Sequence, residues 1–335
     1  MRQTLAAGKV PPDILMPLIA RYAPAGPGVV VGPGLGLDAA VLTLGDRLLV
    51  AKTDPITFAT DEIGWYAVHV NANDIASLGA TPRWFLATLL LPEQGTTPAL
   101  VETIFAQMAE ACAEVGAALV GGHSEITLGL DRPIVVGQML GETTPDRLVT
   151  AAGAQLDDVV LLTKSVGLEG TAILAREKGE ELADLPADLL AEARAYLHTP
   201  GLSVVRDAAL ALAHGQVHAM HDPTEGGIAT GLREVAEASG LGMVIDAEAL
   251  PIEAPTLALC QRFGLDPLGL ISSGALMICL PSSDVAAVTA ALAGAGIRAS
   301  QLGRVVPAEQ GVTLRRGSQI HALPIFDRDE LTRVL

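Results

Sequence analysis

The apolar residues of this chain come in short runs, alternately at strand and at helical spacing, and the alternation breaks down once, between Thr143 and Gln155. Ala39 to Leu44 and Arg47 to Thr53 are apolar runs separated by Gly45-Asp46, a dipeptide class that closes tight hairpins. From Asp61 to Leu78 the apolar period turns helical and Gly79 supplies a stop; Trp84 to Leu91 then reads as a buried strand. A helix over about Pro98 to Val115 and strands at Ala117 to Val120 and Pro133 to Leu140 complete this half, after an amphipathic segment at Asp13 to Tyr22. Beyond the break, a strand at Val159 to Thr163 is followed by helices near Gly170 to Lys178, Ala187 to Tyr196, Leu202 to Ala213, Ile228 to Ser239 and Asp284 to Ala295. The expectation is an α+β chain of two α/β domains, residues 1–154 and 155–335, in keeping with a length of 335 residues.

Composition narrows the function classes. Half of the residues are hydrophobic, yet runs such as Ala275 to Leu280 stop far short of the roughly 20 residues of a membrane span. No secretory signal is readable at the N-terminus, so a cytoplasmic protein is expected. With 38 acidic against 21 basic side chains the net charge is −17, and nucleic acid is not an expected partner. Cys112, Cys260 and Cys279 lie far apart among apolar neighbours, as buried reduced thiols do.

Polar residues interrupt this pattern at four places. Gly32-Pro33-Gly34-Leu35-Gly36-Leu37-Asp38 leads glycines into a carboxylate before a strand, a form that lets phosphates approach backbone and that also suits an ordinary loop. In Thr53-Asp54-Pro55 an apolar strand ends on a carboxylate, which either presents a ligand group or opens a turn. His69-Val70-Asn71-Ala72-Asn73-Asp74 sets short polar side chains inside a helical run, where Asn and Asp are disfavoured. Asn71 and Asp74 share a helix face and Asn73 adjoins Asp74, so their oxygens can converge on a hard cation and phosphates. Gly121-Gly122-His123-Ser124-Glu125 puts a polar tip after a strand; Glu125 is a metal candidate, and His123 fits a ligand or a hydrogen-bonded structural histidine.

In the second half, His221-Asp222-Pro223-Thr224-Glu225-Gly226-Gly227 opens a helix whose N-terminus suits an anion, although simple capping by Thr224 fits equally. Acidic and amide clusters without a Ser-His-Asp or Cys-His set suit metal–nucleotide chemistry better than nucleophilic hydrolysis.

In this order, GLGLDAAVL, Thr53-Asp54, NANDIASLGATP, GGHSE and DPTEGGIATGLREVAEASG resemble the motif series of the aminoimidazole-ribonucleotide-synthetase-like superfamily across most of the chain. The DPTxGGxA pattern is most similar to its hydrogenase-maturation branch. The resemblance implies a homodimer joined through N-terminal domains whose sheets form a barrel-like interface, with a sandwich-like C-terminal domain. It implies ATP and Mg2+ as cofactors, transfer of the γ-phosphoryl group to an amide, thioamide or phosphate of a small-molecule acceptor, and, in the maturation branch, a partner maturation protein. Residue by residue it gives Asp38, Asp54 and Asp74 to metal and phosphate, Asn73 as their neighbouring amide, and Gly8 and Lys9 to a loop that covers nucleotide. The residues themselves add Glu125 to the metal set, Gly34, Gly36, Asn71, Gly121 and Gly122 to the nucleotide site with Asp38, Asp54 and Asn73, and Asp222, Glu225 and His123 to catalytic work on the acceptor.

Departures from the pattern accompany it. Leu37 stands where an acidic pair is usual, His123 where kinase-type members carry aspartate, and Glu225 where maturation members often carry arginine. The given residues end Thr332-Arg333-Val334-Leu335 rather than in the cysteine that carries a thiocarboxamide in those members, so thiocarboxamide chemistry is not expected in its usual form. A non-catalytic nucleotide-binding dimer is the reading from another class.

Overall fold

A computed structural model describes Leu5 and residues 10–23, 26–34, 39–57 and 61–335. Gly8, Lys9, Gly36, Leu37 and Asp38 lie outside the described residues. Among the described residues no helix is long and apolar enough to cross a membrane. Pro12–Tyr22 forms helix α1, with Pro12 where the missing N–H costs nothing. The chain divides into two compact units, Pro27–Gly32 with Asp38–Leu148, and Val149–Leu335 together with the first residues and Pro33–Leu37. The sequence reading sets its boundary later, after Ala154.

The N-terminal unit is one six-stranded sheet with two helices. Strands β1 (Val29–Val31), β2 (Ala40–Leu44), β3 (Arg47–Ile56), β4 (Thr81–Pro92), β5 (Ala118–Thr127) and β6 (Ile134–Thr143) take the order β1-β2-β3-β6-β4-β5, antiparallel except for the parallel pair β4–β5. The hairpin expected at Gly45-Asp46 joins β2 to β3, with Leu44 opposite Arg47. Helices α2 (Ile63–Ser77) and α3 (Pro98–Val115) pack against each other, and α2 also packs on β3, β4 and β6. Thr97 caps α3 by accepting from the Leu100 N–H, and left-handed Gly116 ends it.

α2 is buried at every one of its positions: it packs against α3, and its seam residues Ala67, Asn71 and Ile75, four apart, are pressed onto β6. Gly137 and Gly141 of β6 make that approach possible. A Cβ at Gly137 would strike the Asn71 amide, and one at Gly141 the Ile75 side chain.

The strand expected to end at Val120 instead continues through Gly121-Gly122-His123-Ser124-Glu125 to Thr127. Its backbone pairs with β4 throughout, with Gly122 opposite Ala87, where a Cβ would collide with the Ala87 carbonyl. Glycine is thus required by close strand approach. β5 is the sheet edge, and Val120 and Ile126 are exposed on it.

The C-terminal unit is a seven-stranded mixed sheet with helices. Its strands are β7 (Val159–Thr163), β8 (Ala219–His221), β9 (Gly242–Asp246), β10 (Met277–Leu280), β11 (Ala299–Val306), β12 (Val312–Arg316) and β13 (Gln319–Ala322), in the order β13-β12-β9-β11-β7-β10-β8. The helices are α4 (Leu168–Glu177), α5 (Ala187–Ala195), α6 (Val205–His214), α7 (Gly227–Ser239), α8 (Ala254–Phe263) and α9 (Val285–Gly294). All five β7 residues are buried, so both sheet faces are covered there. Ile228, Leu232 and Val235 of α7 share one core with Val160, Leu162, Met243 and Met277. Each unit is therefore α+β, as the alternating periods predict.

Candidate functional site

In the N-terminal unit, strand alternation places Leu48, Val50, Lys52, Asp54 and Ile56 on one face of β3, toward α2. Asp54 lies within β3 rather than at its end. Asn71 fixes it there: Asn71 Oδ1 accepts from the Asp54 N–H at 2.9 Å, and Asn71 Nδ2 donates to the carbonyls of Asp54 at 3.3 Å and Ala67 at 2.8 Å. The amide expected to touch nucleotide is thus engaged with backbone, and its observed work is to set the position of Asp54.

Lys52, which the sequence reading passed over, stands between the two carboxylates. Its Nζ lies 3.3 Å from Asp54 Oδ2 and 3.1 Å from Asp74 Oδ2. Asp54 and Asp74 are therefore close enough to share one cation, which in this arrangement is an ammonium, whereas Asn71, expected to converge with Asp74 from the same helix face, is turned to backbone. Asn73 is buried beside Asp74 on α2. His69 bonds Glu114 through Nε2 at 2.9 Å and stacks on Trp65, which accounts for it as a packing residue. The donor set at the pair is all oxygen, which suits Mg2+, an ion that takes one or two carboxylates and completes its shell with water and phosphate. Among the described residues no group of three His, Cys, Asp or Glu side chains is arranged to hold a metal.

The β5 residues do not join this pair within one chain. Asp54 faces Gly137, Gly137 faces Ala87 and Ala87 faces Gly122, so three strand spacings, roughly 14 Å, separate β3 from β5. Metal ligation requires oxygens a few ångströms apart. Glu125 and His123 instead bond each other at 3.1 Å on the exposed edge. The strand-tip reading failed here because the motif lies in mid-strand. Gly121 and Gly122 serve the β4–β5 pairing, and Gly34 is half-buried ahead of the undescribed Asp38.

The C-terminal unit gathers a second set of carboxylates. β8 delivers buried Asp222, and the turn Pro223 to Gly227 carries Glu225, half-buried, into α7. Gly226 and Gly227 are left-handed, and a Cβ on Gly227 would meet the Leu268 and Leu270 carbonyls. Thr224 does not cap α7; the N-cap is Gly226, without a side-chain bond. The Gly226 N–H donates to Asp329 Oδ2 at 2.7 Å, so a side-chain carboxylate already meets the helix N-terminus expected to hold an anion.

Two of these acids were not singled out in the sequence. Burial pushes Glu169 up to about 7; a hydrogen bond with Ser273 opposes this, and the nearby charges of Asp329, Glu225 and Asp222 add to it. Burial likewise pushes Asp329 up to about 6, against backbone N–H bonds from Gly226, Leu331 and Ile271. Glu169 follows β7 in Gly167-Leu168-Glu169-Gly170, a carboxylate between glycines that matches the other singled-out motifs in form. Asp329 comes from far along the chain and had no local signal. The three cysteines are buried; burial raises Cys112 to about 11 and Cys260 to about 12, and raises Cys279 as well, so none is a ready thiolate.

These features define a two-domain α+β protein with a cation-bridged aspartate pair in its first domain and a buried acidic centre in its second. The chain belongs to the AIR synthase related family: the pattern of that family's N-terminal domain matches residues 36–143 and that of its C-terminal domain residues 155–315. It is similar to the carbamoyl dehydratase HypE of Cupriavidus necator, 32% identical over 289 residues, covering 81% of this chain and 77% of the relative. The carbamoyl dehydratase HypE of Rhodobacter capsulatus is 33% identical, over 82% of this chain and 80% of that protein. Among solved structures, the hydrogenase maturation protein HypE in complex with ATP superimposes with a TM-score of 0.73 at 29% identity, over 90% of this chain and 92% of that one.

Proposed function

We propose that the protein is an ATP- and Mg2+-dependent enzyme of the HypE-like kind, which moves the γ-phosphoryl group onto the oxygen of a small-molecule amide or related acceptor. The observation that carries this reading is the pair Asp54 and Asp74 held around one cation by a strand and a buried helix. Phosphoryl transfer asks the protein mainly for positioning and for neutralisation of phosphate charge. Bound there, Mg2+ would supply positive charge to offset that of the phosphates. Asp54 and Asp74 would hold it, Asn71 keeps Asp54 in place, and Lys52 would turn its ammonium from carboxylate to phosphate oxygen.

For a primary carboxamide, the carbonyl oxygen takes the phosphoryl group from ATP and leaves as phosphate. The nitrogen gives up its two protons, and a nitrile remains. This is the net loss of water that the name of the similar carbamoyl dehydratases describes. We assign Asp222 and Glu225, with Glu169 beside them, to the acceptor: a carboxyl group titrating near neutrality is suited to take up such a proton. We infer that two copies associate through the exposed edge β5, and that a maturation protein is the partner if the acceptor is protein-borne.

One observation favours a second reading. Lys52 already supplies a cation between the aspartates, an arrangement that also suits a dimer which binds nucleotide without metal and without turnover. Calorimetric titration with ATP, with and without Mg2+, separates the two. Micromolar binding, on the order of −8 kcal/mol, that requires Mg2+ and is lost in Asp74→Asn supports the enzyme. Equal affinity without Mg2+ supports the metal-free dimer, and unchanged affinity in Asp74→Asn removes the pair from the site.

A further inference from the structure

A cavity of about 640 Å³ opens within the C-terminal unit, apart from the acidic centre and unrelated to any singled-out motif. Its size falls among small-molecule sites. Its floor is a buried ion pair: Lys164 Nζ lies 3.2 Å from Asp207 Oδ1 and donates to the carbonyls of Ser203 at 2.6 Å and Gly274 at 2.9 Å. Two N–H donors of Lys164 are thereby used on backbone, and its charge lies against Asp207. Lys164 also has a left-handed backbone, at φ 55°, which glycine would adopt without strain, so the lysine side chain is what holds this corner together.

Three acids and three bases line the cavity, and two opposite pairs meet directly, Lys164 with Asp207 and Arg298 with Glu253. Arg298 bonds Glu253 at 2.7 Å, and the Tyr196 hydroxyl bonds Glu192 at 3.2 Å. Arg206, next to Asp207 and lining the same cavity, makes no ion pair or hydrogen bond among the described residues. In a chain of net charge −17, the rim of this cavity therefore presents an exposed guanidinium that no carboxylate holds, a planar fork matched to a carboxylate or phosphate.

We propose that this cavity is a second ligand site, which takes a small molecule by a carboxylate or phosphate group set against Arg206, above the fixed Lys164–Asp207 floor. The site stands independently of the function proposed above. It adjoins the acidic centre through one loop: Lys164 holds Gly274, Ser273 bonds Glu169, and Ser272 Oγ accepts from the Gly167 N–H. An occupant would thus bear on the loop that lines the acceptor side.

The test titrates inorganic phosphate and, separately, succinate into the full chain by calorimetry, for the wild type, Arg206→Ala, Arg206→Gln and Asp74→Asn, with melting temperatures to confirm folding. The expected result is saturable binding of at least one probe, weakened roughly tenfold or more in both Arg206 variants and unchanged in Asp74→Asn. Which probe binds tells a phosphorylated from a carboxylate ligand. No saturable heat into the tens of millimolar, binding indifferent to Arg206, or binding lost in Asp74→Asn instead, overturns the proposal.

Discussion

Replacing Lys52 by methionine tests the N-terminal centre at its least expected member. The methionine keeps the length and apolar stem of lysine and removes the ammonium that lies 3.1 Å from Asp74 and 3.3 Å from Asp54. The Asp74 side chain is 3% exposed, so removing Lys52 takes an ammonium at 3.1 Å away from a buried carboxylate. Breaking a buried pair in this way costs about 3–5 kcal/mol. The Asp54 half contributes little, since that side chain is 38% exposed and water screens it. The low end, about 3 kcal/mol, is the working figure.

A unit of this size loses a few degrees of Tm per kcal/mol, so the first unfolding transition should fall by about 10 °C in the absence of divalent ions. Adding Mg2+ should restore more of that loss than it adds to the wild type, because the emptied position between two carboxylates then takes the metal. Scanning calorimetry of both proteins with EDTA and with Mg2+ measures this. A Tm within about 2 °C of wild type in EDTA would refute the claim that Lys52 balances Asp74, and equal Mg2+ responses would refute a shared cation position.

Asn71→Ala removes the clamp on Asp54 and leaves its buried backbone partners short of bonds, a loss of about 2–3 kcal/mol; denaturant unfolding measures it, and ATP titration should report weaker binding as Asp54 loses its position. Glu169→Gln addresses the acidic centre. The folded pKa of Glu169, about 7, lies above the 4.5 of the free group, so its contribution to stability is fully present below about pH 4.5 and is lost as pH rises through 7. The glutamine variant should therefore melt above the wild type at pH 8, by an amount on the order of 2–3 kcal/mol, with the gap closing toward pH 4.5. A pH-independent difference would mean that Glu169 is ionised at all these values.

How much of the fold and the site is legible in the sequence depends on whether the decisive contact is local. Asp54 and Asp74 are legible because each breaks a strong local rule, a carboxylate on an apolar strand and one inside an apolar helix. Lys52 obeys the same alternation as Asp54, two residues away, and the period of a strand places both on one face; that spacing is visible in the sequence, but a lysine on a strand passes as solvated. Gly121-Gly122-His123-Ser124-Glu125 misleads for the opposite reason. Its composition is that of a turn, yet parallel pairing with β4 overrides propensity and draws it into a strand, with Gly122 demanded by the Ala87 backbone.

Gly137 and Gly141 become readable only once α2 is known to cross them. Asp329 reaches Gly226 from 103 residues away, and no period or motif reports such a contact. The two kinds of residue divide the labour. Asp54 and Asp74 sit where local rules are visibly broken, as does Asn71, which aims Asp54, whereas Ser273 on Glu169 and Lys164 on Gly274 bond a buried partner or backbone and pass in the sequence for ordinary polar residues. Variants of the second group should therefore move binding and pH dependence while leaving every carboxylate of the two centres in place.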